Sequence, residues 1–398
     1  MKKYIILTGA IRNAGGSQQY TANKLSYMES MGWKTYAFFH VAGDIKIKYL
    51  SKFGDYHFPE LGRAVQTLSK RNVSKVVSRI VSIIGNDDEI VIESNSLSLS
   101  FWGEIIAKAL NGKHVMFPLE EAFWKINKKE AAFLHFKMQR GEIMTGSKET
   151  RIRQLFQKYY LEEYKMHLMG LKVYCSNVVD YTPVEIPIKL QDESTKKILS
   201  IARLKKPYII PMLHEIKEYV LHHSNMHFSL IMIGGDNDPS IEKSIRNIFS
   251  DVDNVELYML GYVFPIPYDW IKISDVCIAS SNSVLVSAEE GVPTISIDGH
   301  DLKAIGIYGF TTLRKVFRDN EPEIPIGTLL EDILIKKKYV KDIKKRNIKD
   351  EFGLYFKPHL DFLNASAKTK DYYNIEDVYS SWDCLIAKTK YYIRKKLK

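Results

Sequence analysis

The sequence predicts an α/β fold of two doubly wound domains, and three observations support that prediction. Short buried strand patterns alternate with amphipathic helical patterns along most of the chain. The alternation is interrupted at residues 176–195, which contain two prolines and no helical period, and it restarts at Lys197. A chain of 398 residues is also long enough for more than one domain. We therefore expect one domain over residues 1–190, a second over 191–372, and a basic helix over 373–398 that packs back on the first.

The first domain begins as a strand, a glycine loop, a helix and a second strand, which is the opening of a doubly wound domain. Gly32 ends that helix, and Ala22, Leu25 and Met28 share one of its faces. The predicted strands are 4–7, 35–39, 89–93, 114–117 and 173–175, and the predicted helices are 18–31, 73–84 and 104–110.

The second domain repeats the alternation. Asp238 is expected to cap a helix whose first turn holds Pro239 and whose buried face holds Ile241 and Ile245. The predicted strands are 198–202, 228–233, 255–260, 276–279 and 294–297, and the other predicted helices are 211–221 and 281–290.

Composition restricts the class of protein. With 45% hydrophobic and 26% charged residues, the chain resembles an ordinary soluble enzyme, and no run reaches the ~18 apolar residues of a membrane-spanning helix. Three widely spaced cysteines without metal-ligand spacing indicate a reducing compartment, so we expect a cytoplasmic protein. The first apolar run is too short for a signal peptide. The net charge of +10 suggests an anionic partner: a phosphorylated substrate, a membrane leaflet or nucleic acid. Solvated Lys on helix faces is the commoner explanation of such a charge.

The most informative stretch is VCIASSNSVLVSAEEGVPTISI at residues 276–297, whose pattern is strand, polar turn, helix and strand. Ser281, Asn282 and Ser283 open the helix, so unpaired backbone N–H groups and the positive dipole end should lie at the carboxyl edge of the sheet, where anions bind. This turn is a candidate cradle for a phosphate or a sugar. The alternative is that Ser281 or Ser283 merely caps the helix.

Four motifs of the second half resemble, in order and spacing, the donor-binding half of GT-B glycosyltransferases: ILSIARLKK, SLIMIGGDND, VELYMLGYV, and SDVCIASSN with SAEEGVPTISID. The N-terminal GGSQQYTANKL and MGWKTYAFF resemble the glycine loop and first crossover of the same group. The resemblance, which is to the family 4 or group 1 type, covers the chain from Thr8 to about Asp298. It implies two Rossmann-like domains that face each other across a cleft, and transfer of a sugar from a nucleoside-diphosphate donor.

The resemblance also implies roles for residues of this chain. Negative charge grows on the departing diphosphate, and cations or helix N-termini placed beforehand stabilise it. In the resembled families an Arg and a Lys after a strand hold that diphosphate, which corresponds here to Arg203 and Lys206, with Lys205 as a rival. Turn glycines, however, need no ligand. The implied donor contacts are Gly15, Gly16, Arg203, Lys206, Gly234, Gly235, Tyr262, Ser281, Asn282, Ser283, Glu289 and Glu290.

One motif of the resembled family is missing. Its retaining members carry E-x7-E, and the second Glu, five residues before the glycine of the G-x-P turn, binds the donor ribose. Here that position is Val286. Glu289 and Glu290 lie nearer to the glycine, so they cannot occupy the same point on the helix. The departure leaves open the identity of the donor, the stereochemical outcome and whether the protein is catalytic.

On the acceptor side, Glu120, Glu121 and His40 are candidates for a general base, because each follows a predicted strand. His114 is expected in the core or at the sheet edge. Asp236 and Asp238 could form a D-x-D metal site, but Asp238 stands in a helix-capping position. We therefore expect no metal and no cofactor, with the nucleotide sugar as substrate.

The C-terminal part of the chain is basic. Residues 336–349 contain eight Lys or Arg and one Asp. The last eleven residues contain six Lys or Arg and no Asp or Glu. These segments could contact an anionic membrane face at roughly 1 kcal/mol per basic residue, or they could be solvated helix ends. Nucleic-acid binding ranks lower, since no recognised module accompanies the charge.

We therefore predict a cytoplasmic, metal-independent glycosyltransferase of the hexosyltransferase type. We expect it to act in bacterial surface-polysaccharide assembly (capsule, O-antigen or exopolysaccharide), on a glycan or lipid-linked acceptor and as a peripheral membrane protein. Two alternatives stay open. One is a sugar-nucleotide epimerase of the same fold. The other is a non-catalytic partner protein that has kept the fold, which the missing glutamate at position 286 motivates.

Overall fold

A computed structural model describes residues 2–12, 15–85, 89–119, 126–144, 149–167, 185–236, 238–263, 266–343, 348–366, 371–378, 385, 386 and 389. The chain divides into two compact units. The first unit combines residues 1–180 with 348–398, and the second comprises 181–347.

The first unit is built on a four-stranded parallel sheet in the order β2-β1-β3-β4. The strand order reverses between β1 and β3, and ligands of doubly wound sheets bind outside the carboxyl ends of strands at such a reversal. The elements are β1 (Lys2–Thr8), α1 (Gly16–Ser30), β2 (Lys34–Phe39), α2 (Lys70–Ile84), β3 (Glu89–Ser94), α3 (Leu97–Ala109), β4 (Lys113–Met116), α4 (Lys128–Gln139) and α5 (Glu149–Phe156). Short 3₁₀ turns lie at Lys48–Phe53, Pro59–Gly62, Val65–Thr67, Gln157–Tyr159 and Glu162–His167.

The four predicted strands between residues 4 and 117 are confirmed as β1 to β4, and the helices predicted at 18–31 and 73–84 are confirmed as α1 and α2. Helix α3 begins earlier than the predicted start at residue 104. Ser96 caps it by accepting a 3.4 Å hydrogen bond from the Leu99 N–H, which satisfies one of the unpaired donors of the first turn. The strand predicted at 173–175 lies outside the described residues.

The second unit is built on a six-stranded sheet in the order β10-β9-β8-β5-β6-β7. Read from the far edge, this is the 3-2-1-4-5-6 order of a doubly wound fold, with β10 antiparallel and the reversal between β5 and β8. The elements are β5 (Lys196–Ile201), α6 (Ile209–His222), β6 (Phe228–Ile233), α7 (Pro239–Ile248), β7 (Val255–Gly261), α8 (Tyr268–Ile273), β8 (Val276–Ala279), α9 (Asn282–Glu289), β9 (Thr294–Ile297), β10 (Ala304–Ile307) and α10 (Ile326–Leu330). A 3₁₀ turn lies at Ile188–Gln191, and a π-helical turn, Glu331–Ile335, follows α10.

The last long helix, α11 (Ile348–Ser366), belongs to the first unit. Its Phe356 ring packs against Tyr20 and Tyr27 of α1, and His359 packs edge-on against Phe117. The predicted boundary at residue 372 therefore differs from the structure, because the apolar side chains of α11 complete the first core. The other boundary lies at 180/181 rather than at 190.

Residues 371–378 also lie on the first unit. The Tyr372 hydroxyl donates to the Gly112 carbonyl at 2.7 Å, and the Tyr373 N–H donates to the Glu104 carboxylate at 2.7 Å. Most of the predicted basic helix at 373–398 lies outside the described residues. Within the described part of the chain, no helix is long and apolar enough to cross a membrane.

Candidate functional site

The carboxyl edge of the second sheet brings together loops that are far apart in sequence. The parallel register pairs Ile201 at the end of β5 with Ile233 of β6 and with Ala279 of β8. The residues that follow these strands therefore meet at one edge, on both sides of the strand-order reversal. The predicted donor contacts gathered there are Arg203, Lys206, Gly234, Gly235, Tyr262, Ser281, Asn282 and Ser283.

Gly234 fixes the loop that carries Arg203. Its φ is +137°, and a Cβ built on it would stand 1.8 Å from the Ala202 carbonyl oxygen. Its N–H donates to the Gly261 carbonyl at 2.9 Å, so the chain after β6 is held between the ends of β5 and β7. Only glycine combines this φ with so close an approach of two backbones.

Gly235 lies under an exposed aromatic ring. A Cβ at this position would come within 2.7 Å of the Tyr262 ring, and the Tyr262 side chain is 54% exposed. A tyrosine ring exposed at the carboxyl edge of a parallel sheet can stack on a planar ligand group, such as a nucleotide base.

Arg203 and Lys206 lie on an exposed turn directly after β5, closed by a 3.0 Å hydrogen bond from the Lys206 N–H to the Arg203 carbonyl. Among the described residues, neither of these two side chains makes a hydrogen bond or an ion pair. Hydrogen bonds from Ser240 lower the pKa of Asp238, and the charge of Lys205, the rival of Lys206, lowers it further. Both Arg203 and Lys206 are therefore placed to bind an external anion.

The turn before α9 has an unusual backbone. Ser281 has φ +63° and ψ −138°, a conformation that costs a residue with a Cβ about 1–3 kcal/mol. Its side chain makes no capping hydrogen bond, so the alternative that Ser281 merely caps the helix is not supported. Its N–H donates to the Lys315 carbonyl at 2.6 Å, which holds the turn in place.

Lys315 is a cation of this site that the sequence analysis missed. Its Nζ donates to the Asn282 Oδ1 at 2.7 Å, so the ammonium lies beside the first residue of α9. Helix N-termini usually attract negative groups, and a lysine held there adds to the positive potential. Lys315 follows β10 and stands 33 positions after Asn282, and only the short basic run around it could have drawn attention to it.

Glu289 and Glu290 lie at the other end of α9. Helix α9 has 8 residues, so its two ends are roughly 12 Å apart along the axis. Glu290 is buried, with its carboxylate 3.6 Å from the Lys272 ammonium. Burial and, to a smaller extent, the charge of Glu289 raise the pKa of Tyr308. The structure does not bring either glutamate to the turn at 281–283. Val286 is buried.

Asp238 has the structural role that the sequence indicated. Its Oδ1 accepts a 2.9 Å hydrogen bond from the Ser240 N–H and caps α7, and hydrogen bonds from Ser240 lower its pKa. Throughout the described ranges, no group of three or more His, Cys, Asp or Glu side chains could hold a metal ion.

His40 lies at the carboxyl edge of the first sheet, directly after β2. Its N–H donates to the Gly9 carbonyl at 3.2 Å, and its ring lies against Gly62, where a Cβ would stand 2.5 Å from Nδ1. Burial and the neighbouring His57 lower the pKa of His40, which keeps the imidazole neutral at pH 7. Within the described ranges, its ring nitrogens have no hydrogen-bond partner. His40 is therefore a chemically suitable proton acceptor.

The other predicted residues of the first unit contribute less. Gly15 immediately precedes α1, Gly16 is its first residue, and a Cβ on Gly16 would meet nothing within 4 Å. Glu120 and Glu121 lie outside the described residues.

His114 belongs to a buried network, as the sequence analysis expected for a core histidine. Its Nε2 lies 2.9 Å from the Ser94 Oγ and its Nδ1 lies 2.8 Å from the Glu104 carboxylate, an order that resembles a hydrolytic triad. All three side chains are almost completely buried, and Glu104 is also paired with the buried Lys137. The network therefore joins β3, β4, α3 and α4 and offers no access to a substrate.

No protein-family model and no curated protein matches the sequence. Solved structures resemble it in fold. A glycosyltransferase from Rickettsia africae ESF-5 has a TM-score of 0.59 at 15% identity, over 92% of this chain and 99% of that chain. Anabaena HepE in complex with UDP-glucose has a TM-score of 0.55 at 10% identity, over 92% of this chain and 99% of that chain. The lipopolysaccharide outer core galactosyltransferase WaaB has a TM-score of 0.51 at 14% identity, over 92% of this chain and 99% of that chain.

At these identities the likeness establishes the fold. The chain is an α/β protein with two Rossmann-like domains, as in GT-B glycosyltransferases, which confirms the predicted fold class. The predicted placement of the two domains across a cleft stays a prediction.

Proposed function

We propose that the protein is a glycosyltransferase that transfers a sugar from a nucleoside-diphosphate donor to a glycan acceptor. The observation that carries the proposal is the gathering of exposed Arg203, the helix start at Asn282 with Lys315, and exposed Tyr262 at one edge of the second sheet. HepE, which has the same fold, was crystallised with UDP-glucose.

The chemistry follows from the charges at this edge. In the transfer, the bond between the anomeric carbon and the diphosphate oxygen breaks and the diphosphate leaves with the electron pair. Arg203, Lys206, Lys315 and the backbone N–H groups at the start of α9 stabilise that negative charge. The acceptor hydroxyl attacks the anomeric carbon and gives its proton to a base, for which His40 is the candidate among the described residues.

These groups supply the positive charge that a metal ion provides in other transferases, so we expect turnover to persist when a chelator is added. Loss of activity with EDTA, restored by Mg²⁺ or Mn²⁺, would contradict this part of the proposal. The Asp238 carboxylate is committed to capping α7 and is a poor candidate for a metal ligand.

We place the activity in the cytoplasmic assembly of a bacterial surface polysaccharide. WaaB, which shares the fold, is a lipopolysaccharide outer core galactosyltransferase.

The experiment is a donor panel of UDP-glucose, UDP-N-acetylglucosamine, UDP-galactose and GDP-mannose, first by thermal shift. A ligand that binds only the native state raises the melting temperature by mass action. The stabilising donor is then incubated with and without glycan acceptors. Release of the nucleoside diphosphate together with an extended acceptor supports transfer. Isomerised donor without acceptor would identify an epimerase, and binding without any turnover would identify a non-catalytic protein.

A further inference from the structure

The second unit carries an exposed basic and apolar surface formed by residues 309–315 and 335–341. Its loops present Phe310, Leu313 and Val340, which are 59%, 74% and 66% exposed. Among the described large apolar side chains, Leu313 has the highest exposed fraction. Apolar side chains that cluster at the surface indicate an interaction site, whereas scattered ones do not.

The two segments are neighbours in space. The Phe310 and Tyr339 rings meet edge to face with their centroids 5.3 Å apart. A tight turn fixes the first segment, because the Gly309 N–H donates to the Thr312 carbonyl at 2.8 Å. The second segment leaves the π-helical turn at Lys336, whose N–H donates to the Glu331 carbonyl at 3.0 Å. The apolar tips therefore stand on two fixed, adjoining loops.

Both segments are rich in basic residues. Together they contain six Lys or Arg and no Asp or Glu. Lys336 and Lys338 share Asp332, and Arg314 is paired with Asp319 and lies 3.9 Å from the Glu321 carboxylate. Lys337 is exposed and has no ion pair within the described part of the chain. A net positive charge remains around the apolar side chains.

We propose that this surface binds the face of an anionic lipid bilayer. Aromatic and aliphatic side chains that alternate with lysines suit the lipid interface, where the apolar groups enter the acyl boundary and the cations meet the headgroups. The cores of protein interfaces are instead depleted of lysine, which argues against a protein partner. The surface adjoins the candidate donor site, since Lys315 contacts Asn282 and stands two positions after Leu313. A bilayer bound here would present a lipid-linked acceptor close to the donor.

The test is co-sedimentation of the full chain with vesicles of phosphatidylcholine alone and of phosphatidylcholine with phosphatidylglycerol. We expect binding to the anionic vesicles that weakens as salt is added. The triple variant Phe310→Ser, Leu313→Ser, Val340→Ser should reduce that binding by about tenfold. Leu221→Ser is the matched control, since Leu221 is 47% exposed on α6 of the same unit. Melting curves establish that the variants are folded.

Equal binding to neutral and anionic vesicles, or unchanged binding of the triple variant, would overturn the proposal. So would a third result, in which the wild type binds no vesicles but forms a dimer in solution and the triple variant is a monomer. The second result would point to the basic C-terminal segment instead. Because vesicle binding requires no donor, failure here leaves the proposed transferase activity standing, and failure of the donor panel leaves this surface standing.

Discussion

Gly234 and Ala202 hold the candidate donor site together: the α-carbon of Gly234 lies so close to the Ala202 carbonyl that a Cβ would stand 1.8 Å from its oxygen. Arg203 follows Ala202 directly in the chain. Any side chain at position 234 would push against Ala202 and so move the Arg203 cation, on which the proposed chemistry depends.

We therefore expect Gly234→Ala to lower both the melting temperature and the affinity for a nucleoside diphosphate, the latter by about tenfold or more. The clash is with backbone atoms, and the positive φ adds strain, so side-chain adjustment cannot relieve it. Isothermal titration with UDP and a thermal melt measure the two effects. Gly327→Ala is the control, because its Cβ would make an ordinary 3.7 Å contact with Tyr219. Unchanged UDP binding in a folded Gly234→Ala protein would separate Gly234 from the site.

Lys315 should contact the diphosphate and not the nucleoside. We expect Lys315→Ala to weaken UDP binding by about tenfold, since hydrogen bonds to charged groups are worth about 1.5–3 kcal/mol, and to leave uridine binding unchanged. Lys243→Ala, on the exposed face of α7, is the matched control. An equal loss of affinity for UDP and for uridine would mean that Lys315 acts by holding the turn at Ser281.

The buried Glu104 should be important for stability. Its carboxylate lies 3.0 Å from the Lys137 ammonium and 2.8 Å from the His114 Nδ1, and it accepts the Tyr373 N–H. Glu104→Gln removes a buried charge from this network, although Lys137 keeps the Glu142 carboxylate at 2.5 Å. We therefore expect a loss of about 3 kcal/mol in the free energy of unfolding, measured with urea at pH 7. Asp251→Asn breaks an exposed pair with Lys217 and should leave the free energy of unfolding nearly unchanged, because solvent screens that pair.

The same residue predicts a pH dependence. Although burial alone raises the pKa of Glu104, the nearby Lys137 and the hydrogen bond to His114 outweigh it and bring the pKa from 4.5 to about 2. A carboxylate with a depressed pKa in the folded state stabilises the protein above its unfolded pKa. This contribution, about 3 kcal/mol for such a shift, is lost as the pH falls from 4.5 towards 2. Urea titrations across this range should show a shallower acid slope for Glu104→Gln than for wild type. Parallel slopes would contradict the assignment.

His40 should act as the base in its neutral form. Burial and His57 lower its pKa, so the rate should be high at pH 7 and should fall as the pH drops through a pKa below the ordinary value of 6.5. We expect His40→Asn to reduce kcat by about 10²–10⁴-fold and to abolish this acid limb. His227→Asn, an exposed histidine before β6, is the control. An unchanged profile in His40→Asn would shift attention to Glu120 and Glu121.

The local sequence pattern was sufficient to predict the limits of a strand where the strand is buried and bounded by turn residues. The ends of β6, β8 and β9 agree with the predicted ranges, because apolar runs between Gly, Pro and Ser leave little choice of limits. The amphipathic pattern of α2 was equally clear. The antiparallel β10 was missed, since four residues pairing in a hairpin give no periodic signal.

Features that depend on distant contacts could not be predicted. Whether α11 completes the first or the second core depends on which side chains meet Phe356 and His359, and a helical pattern carries no such information. Lys315 reaches the donor turn only because the chain after β10 returns to α9. Conversely, Arg203 could be placed from sequence, because the end of a parallel strand fixes the sheet edge at which its side chain emerges.

Isothermal titration of the donor panel into wild type and Arg203→Ala is the most direct test of the proposed donor site. We predict that at least one nucleoside-diphosphate sugar binds the wild-type protein and that Arg203→Ala weakens its affinity by about tenfold or more. The melting temperature should stay unchanged, since the Arg203 side chain is exposed. Equal affinity of the two proteins, or no binding of any donor to folded wild type, would contradict this prediction.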